Sequence, residues 1–82
     1  MAHDILIDPV VAAMVQPGVK VRYWFGIKTP NPVSEIWHIR AIVDDEQVVC
    51  RKWHPGRGWV YFLKSLVSFQ LEYTSGALEA IQ

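Results

Sequence analysis

Residues 53 to 59 read Trp53-His54-Pro55-Gly56-Arg57-Gly58-Trp59, two indoles around a turn that also carries an imidazole and a guanidinium. No other stretch gathers as many groups able to do chemistry. Aromatic faces take up bases, sugars, proline helices or cations, worth very roughly 0.5–3 kcal/mol per contact. Trp53 and Trp59 could offer such faces at the mouths of paired strands, with His54 and Arg57 supplying hydrogen bonds and charge. A plainer reading is a cross-strand Trp–Trp pair that closes a hairpin, at about a kcal/mol or less. The two readings are compatible, because a packed pair can still show an edge to solvent.

Basic residues form the second constellation. Arg22, Arg40, Arg51 and Lys52 fall within strand-like segments, with Trp24 and His38 interleaved. Cations among aromatics on a sheet suit a phosphate backbone with stacked bases. The alternative is an ordinary solvated face, with acids opposite the bases. Net charge is zero, far from the basic balance typical of nucleic-acid binders. That zero is a sum of patches. Lys20, Arg22, Lys28, Arg40, Arg51, Lys52, Arg57 and Lys64 crowd the middle of the chain, while Asp44-Asp45-Glu46 and the two ends carry most of the acids. Local sign, not the total, is what a partner feels.

Catalysis and metal binding find little support. His3, His38, His54 and Cys50 lack a zinc-ligand spacing. Cys50 as a nucleophile would need exposure and a lowered pKa, and a lone strand cysteine is more often a small buried hydrophobe. No glycine-rich phosphate loop, Gly-x-Ser-x-Gly or plausible carboxylate pair occurs, and no cofactor is expected.

These groups need elements to hold them. Asp8-Pro9 followed by Val10, Val11, Met14 and Val15 predicts a short helix with an aspartate cap, ended by Pro17-Gly18. From Gly18 the apolar period becomes two. Val19, Val21, Tyr23 and Phe25 share one face of a strand, with Lys20, Arg22 and Trp24 on the other. Residues 35–43 alternate Trp37, Ile39, Ala41 and Val43 against Ile36, His38, Arg40 and Ile42. Asp44-Asp45-Glu46 makes a turn and residues 47–53 return, with Cys50 assigned inward. Pro55-Gly56 is turn chemistry. Residues 59–64 continue as a strand, with Tyr61 assigned to the core. Val67, Phe69, Leu71 and Tyr73 alternate strictly, which predicts a fifth strand, although a helix through 63–73 remains open. Residues 75–82 suggest a final helical turn with Leu78 and Ile81 packed down.

Eighty-two residues make one domain. The expectation is a mainly β fold: an N-terminal helical segment over 1–17, a small five-stranded barrel over 18–74, and a tail over 75–82. In architecture residues 17–74 resemble a Src-homology-3-like barrel, a shape that hosts many functions. His54-Pro55-Gly56 and Ala77 to Ile81 resemble pieces of the plasmid-borne type II dihydrofolate reductases, tetrameric barrels with a shared pore. That family's Val-Gln-Ile-Tyr segment is missing, since the place after the turn reads Gly58-Trp59-Val60-Tyr61-Phe62, so no functional residue carries over.

Half the residues are hydrophobic, with four Trp, three Tyr and three Phe, which excludes disorder. No apolar run approaches the ~20 residues needed to span a bilayer. The lone Cys50 and the absence of a signal-like N-terminus suggest a reducing, cytoplasmic setting and no membrane partner. Most informative is a surplus. After the core is filled, Trp24, Ile36, Ile42, Val49, Trp53, Val60 and Phe62 still lie on the opposite faces, and leaving several wet forfeits several kcal/mol. Something should therefore cover a sheet face: a homodimer partner, another protein or, less well supported, nucleic acid. The expected function is a non-enzymatic binding or adaptor domain using Trp24, Trp53, Trp59 and Arg57, with Arg22, Arg40, Arg51 and His54 around them. The rival is a subunit of an oligomeric enzyme whose site forms between chains.

Overall fold

The structure, a computed structural model, describes residues 7–81; His3 and the rest of residues 1–6 lie outside them. The elements run α1 (Pro9–Met14), β1 (Lys20–Phe25), β2 (Val33–Val43), β3 (Gln47–His54), β4 (Gly58–Ser65), α2 (Leu66–Ser75) and β5 (Leu78–Ala80). The five strands are antiparallel and form one sheet in the order β4-β3-β2-β1-β5. The fold is thus mainly β, as expected, but β4 and β5 are the two edges and the sheet is not closed into a barrel.

The closing strand is missing because residues 66–75 are helical. Ser65 begins α2: its Oγ accepts the Ser68 N–H at 3.1 Å and donates to Ser68 Oγ at 2.9 Å. Gly76, at φ 90°, ends it. There Gly76 N–H donates to Tyr73 O at 3.1 Å and Ala77 N–H to Glu72 O at 2.9 Å, the paired bonds of a Schellman motif. On the helix the apolar period resolves differently. Phe69 is fully buried, with Leu66 and Tyr73 packed beside it, whereas Val67 and Leu71 face outward. The left-handed glycine then reverses the chain into β5, so the tail expected to be helical is a three-residue strand against β1. Leu78 is packed down as anticipated.

α1 forms where Asp8 and Pro9 predict it. The Asp8 carboxylate accepts the Val10 N–H at 2.8 Å, and its own N–H donates to Gln70 Oε1, tying α1 to α2. Val11, Met14 and Val15 are buried, while Val10 is exposed. Both helices pack on one face of the sheet, against Val21, Trp37, Ile39, Val48 and Cys50. Trp37 is the centre of this layer. It stacks on Tyr23 (centroids 4.5 Å apart) and takes Phe62 and Phe69 edge-on at 5.0 and 6.1 Å.

Two expected facings are corrected. A register shift in β2 between Ile39 and Ala41 reverses the alternation, so Ile42 packs on the core and Val43 is exposed. In β4 it is Phe62 that faces the helices, and Tyr61, with Trp59 and Leu63, that faces away. The inward position of Lys64 disguised this pattern. Its ammonium pairs with Glu72 of α2 at 2.8 Å and lies 5.5 Å from the Trp37 ring centroid, so a charge is satisfied on the core side. Cys50 is inward, as assigned.

Candidate functional site

The hairpin turn sets the geometry. Arg57 N–H donates to His54 O at 3.0 Å, with Pro55 and the positive-φ Gly56 (88°) between them, the arrangement a type II turn requires. Gly58 (φ 82°) follows and pairs with His54, which fixes Trp53 opposite Trp59, Arg51 opposite Tyr61 and Cys50 opposite Phe62. Period two then sends Trp53, Arg51, Trp59 and Tyr61 to the side away from the helices. Pairing across the sheet continues the rows: Arg51 lies beside His38, His38 beside Lys20, and Ile36 beside Arg22, which lies beside Glu79.

One sheet face is therefore packed by two helices, and the other carries aromatic and basic side chains that no described residue covers. Trp53 and Trp59 form the cross-strand pair, edge to face at 5.4 Å, and His38 meets Trp59 edge-on at 5.0 Å. The Arg51 guanidinium lies 3.9 Å from the Trp59 ring centroid and donates from Nη1 to Tyr61 Oη at 3.1 Å. This cation–π stack leaves Arg51 Nε buried without a hydrogen-bond partner among the described residues. Despite the pairing, Trp53 keeps 61% of its surface exposed. The pair closes the hairpin, as the plainer reading expects, while most of Trp53 stays open to solvent.

On the β1 side, Arg22 donates from Nη1 to Ser34 Oγ at 3.0 Å and lies 3.9 Å from Glu79. Trp24 Nε1 donates to the same carboxylate at 3.1 Å. Between the two groups a shallow depression of about 450 Å3 is lined by Lys20, Arg22, Ser34, Glu35, Ile36, His38 and Trp53. A larger hollow of about 580 Å3 lies beside Asp44–Glu46 and the start of α2, away from these side chains. Partial burial, then the cations Lys20, Arg51 and Arg40, push the His38 pKa below its ordinary value, so the ring is neutral at pH 7.

Of the eight side chains singled out in the sequence, Arg22, Trp24, Arg51, Trp53 and Trp59 share the open face. Arg40 is exposed at the β2 irregularity, close enough to His38 to act on its charge. His54 and Arg57 are exposed in the turn, where their backbones close the hairpin. Lys20, Ser34, Ile36, His38 and Tyr61 join the face without having been chosen as site residues. For Tyr61 the signal was present. A two-tryptophan pair flanking the turn forces Tyr61 to the same side as Trp53, and Cys50 inward forces Phe62 inward.

The charge on this face differs from the molecular total. Lys20, Arg22 and Arg51 stand against the one carboxylate of Glu79. Glu35 and Glu72 are occupied on the other face by Lys52 and Lys64. Asp44, Asp45 and Glu46 sit in the β2–β3 turn, the opposite end from His54–Gly58. The eight-residue β3 between them spans roughly 25 Å, about three times the screening length of ~8 Å at physiological salt. The acids therefore do not neutralise the aromatic end. Cys50 is fully buried, and burial pushes its thiol up to about 12, so it is not a nucleophile in the folded chain. Among the described residues, no three His, Cys, Asp or Glu side chains come together as a metal site. Nor is any helix among them long and apolar enough to cross a membrane. No family model matches the chain, and neither a curated protein nor a solved structure shows significant similarity to it.

Proposed function

We propose that the chain is a non-enzymatic binding domain whose open sheet face is the contact surface for a macromolecular partner. One observation carries this reading: five of the side chains chosen by chemistry alone lie together on the single sheet face that the helices leave uncovered. Exposed Ile36, Trp53, Trp59, Tyr61 and Leu63 extend across it. An uncovered patch of this kind, with cations beside the aromatics, has the composition of an interface rather than of a solvated sheet.

The test uses surface variants and several ligand classes. Labelled single-stranded and duplex oligonucleotides, acidic peptides and proline-rich peptides are titrated against the native chain, a Trp53→Ala/Arg51→Ala variant and a Val10→Ser variant on exposed α1. The expected result is that any ligand bound loses affinity with the sheet-face variant and keeps it with the α1 variant. Equal binding by all three chains, or none in any class, would refute the proposal.

A second reading concerns self-association, favoured by one observation. β4 is an edge strand eight residues long, and its Tyr61 and Leu63 are 56% and 63% exposed. A homodimer would add a second copy at that rim. Light scattering at micromolar concentration tests it, and a monomer there removes it.

A further inference from the structure

The open face holds more than a generic sticky surface, because its hollow pairs one kind of group with another. Its lining brings together the exposed Trp53, the cations Lys20 and Arg22, and Ser34, Glu35, Ile36 and His38. Arg22 is held between Ser34 and Glu79 and keeps 35% of its side chain exposed. Beside the hollow, the Arg51 guanidinium is stacked on Trp59 and hydrogen-bonded to Tyr61. An exposed aromatic ring and two cations lining the same shallow depression match a planar base joined to a phosphate.

We infer that the occupant of this face is single-stranded nucleic acid, with one base against Trp53 and the neighbouring phosphates on Lys20 and Arg22. The inference rests on the binding-domain reading above and narrows it to one ligand class. Charge complementarity selects this occupant: the face presents Lys20, Arg22 and Arg51 against Glu79, Glu35 at the rim of the hollow is taken up by Lys52, and the acidic turn lies beyond the screening length from all three cations. Aromatic exposure selects the single strand. In a duplex the bases are stacked on each other, and a broad sheet face enters neither groove, so Trp53 would have nothing to stack on. The neutral His38 ring adds a flat partner without adding charge. The arginine plane on Trp59 provides a second surface of the kind unstacked bases use.

The experiment measures anisotropy of fluorescein-labelled 12-nucleotide oligo-dT and oligo-U, a duplex of the same length, and labelled heparin as a polyanion without bases. The chain is tested native and as Trp53→Ala, Trp53→Phe and Lys20→Gln, each checked by circular dichroism. With about two phosphates neutralised, log Kd against log salt has a slope near 1.4 for a single strand, and Lys20→Gln lowers it by about 0.7. Trp53→Ala weakens oligonucleotide binding roughly five- to 150-fold, the range of one base–aromatic stack, without weakening heparin binding, and Trp53→Phe recovers part of the loss. Binding of oligo-dT, oligo-U or both with this pattern supports the inference, and the ratio between them reports the preferred sugar. Duplex bound as tightly as single strand, or Trp53→Ala without effect on oligonucleotides, would overturn it. So would the absence of any oligonucleotide binding, and binding of the acidic or proline-rich peptides in the titration above would then leave the broader binding-domain reading standing.

Discussion

Phe69 and Leu71 offer the sharpest test of how the chain is built. If residues 67–73 formed a strand, both side chains would point the same way and their truncations would cost alike. On α2 they diverge: Phe69 is fully buried against Trp37, whereas Leu71 keeps 64% of its surface exposed. Replacing a buried phenylalanine by alanine removes its transfer free energy and leaves a cavity, about 3–5 kcal/mol together. Burying a whole leucine side chain is worth about 1.5–3 kcal/mol, so the third that Leu71 buries is worth about 0.5–1 kcal/mol. Alanine's better helix propensity returns a few tenths of that. Phe69→Ala should therefore exceed Leu71→Ala by at least about 2 kcal/mol, roughly thirtyfold in the unfolding equilibrium constant. Urea denaturation followed by circular dichroism measures both, with equal m-values required for comparison. A domain of this size has about 4–12 kcal/mol in total, so Phe69→Ala could consume most of it. Phe69→Leu, costing about 1–1.5 kcal/mol, then carries the comparison. Equal losses at positions 69 and 71 would show that the helix is wrong.

Three further outcomes follow from named contacts. Ser65→Ala should cost about 1 kcal/mol in the same assay, because it removes the acceptor for the Ser68 N–H, while Ser65→Asp should keep most of it. Cys50, buried and with its thiol raised to about 12, should resist a thiol reagent in native buffer and react at once in denaturant; fast native labelling would contradict the packing. The His38 pKa is lowered by burial and by Lys20, Arg51 and Arg40, so the unfolded chain binds a proton more readily than the folded one. The stability that this neutral ring preserves is complete above its unfolded pKa of about 6.5 and is lost as pH falls through the lower folded value. His38→Gln should flatten that part of a stability–pH curve, and an unchanged curve would reject the assignment.

Much of the sheet was legible in the chain because period two is a local property. The limits of β1, β3 and β4 fall within a residue or so of the segments read from alternation, and both hairpin turns lie at Asp44–Glu46 and Pro55–Arg57. The turns were readable for a related reason. Gly56 takes a positive φ that its residue type favours, and Asp44 and Asp45 tolerate one (φ 54° and 56°) in a hairpin whose twist demands it. The pattern over 67–73 misled because Val67, Phe69, Leu71 and Tyr73 satisfy a strand rule, while the caps that select a helix, Ser65 and Gly76, lie outside the alternating run. Helix and strand were nearly balanced locally, and packing Phe69 against Trp37 decided between them.

The candidate face divides in the same way. Residue type alone marked Trp53, Trp59, Arg22 and Arg51 as the groups with chemistry to offer, because exposed indoles and guanidinium groups bind planar or charged partners wherever they stand. Their convergence could not be read locally. It required β4, β3, β2 and β1 to align in order and α1 and α2 to claim the same opposite side. Which face a strand turns to water depends on contacts between residues far apart in the chain, such as Lys64 with Glu72 or Cys50 beside Phe62. The sequence determined four of the five strands, the hairpin turns and the kinds of side chain. Only the tertiary structure decided which of them stand together, because that choice is settled by which residues the helices cover.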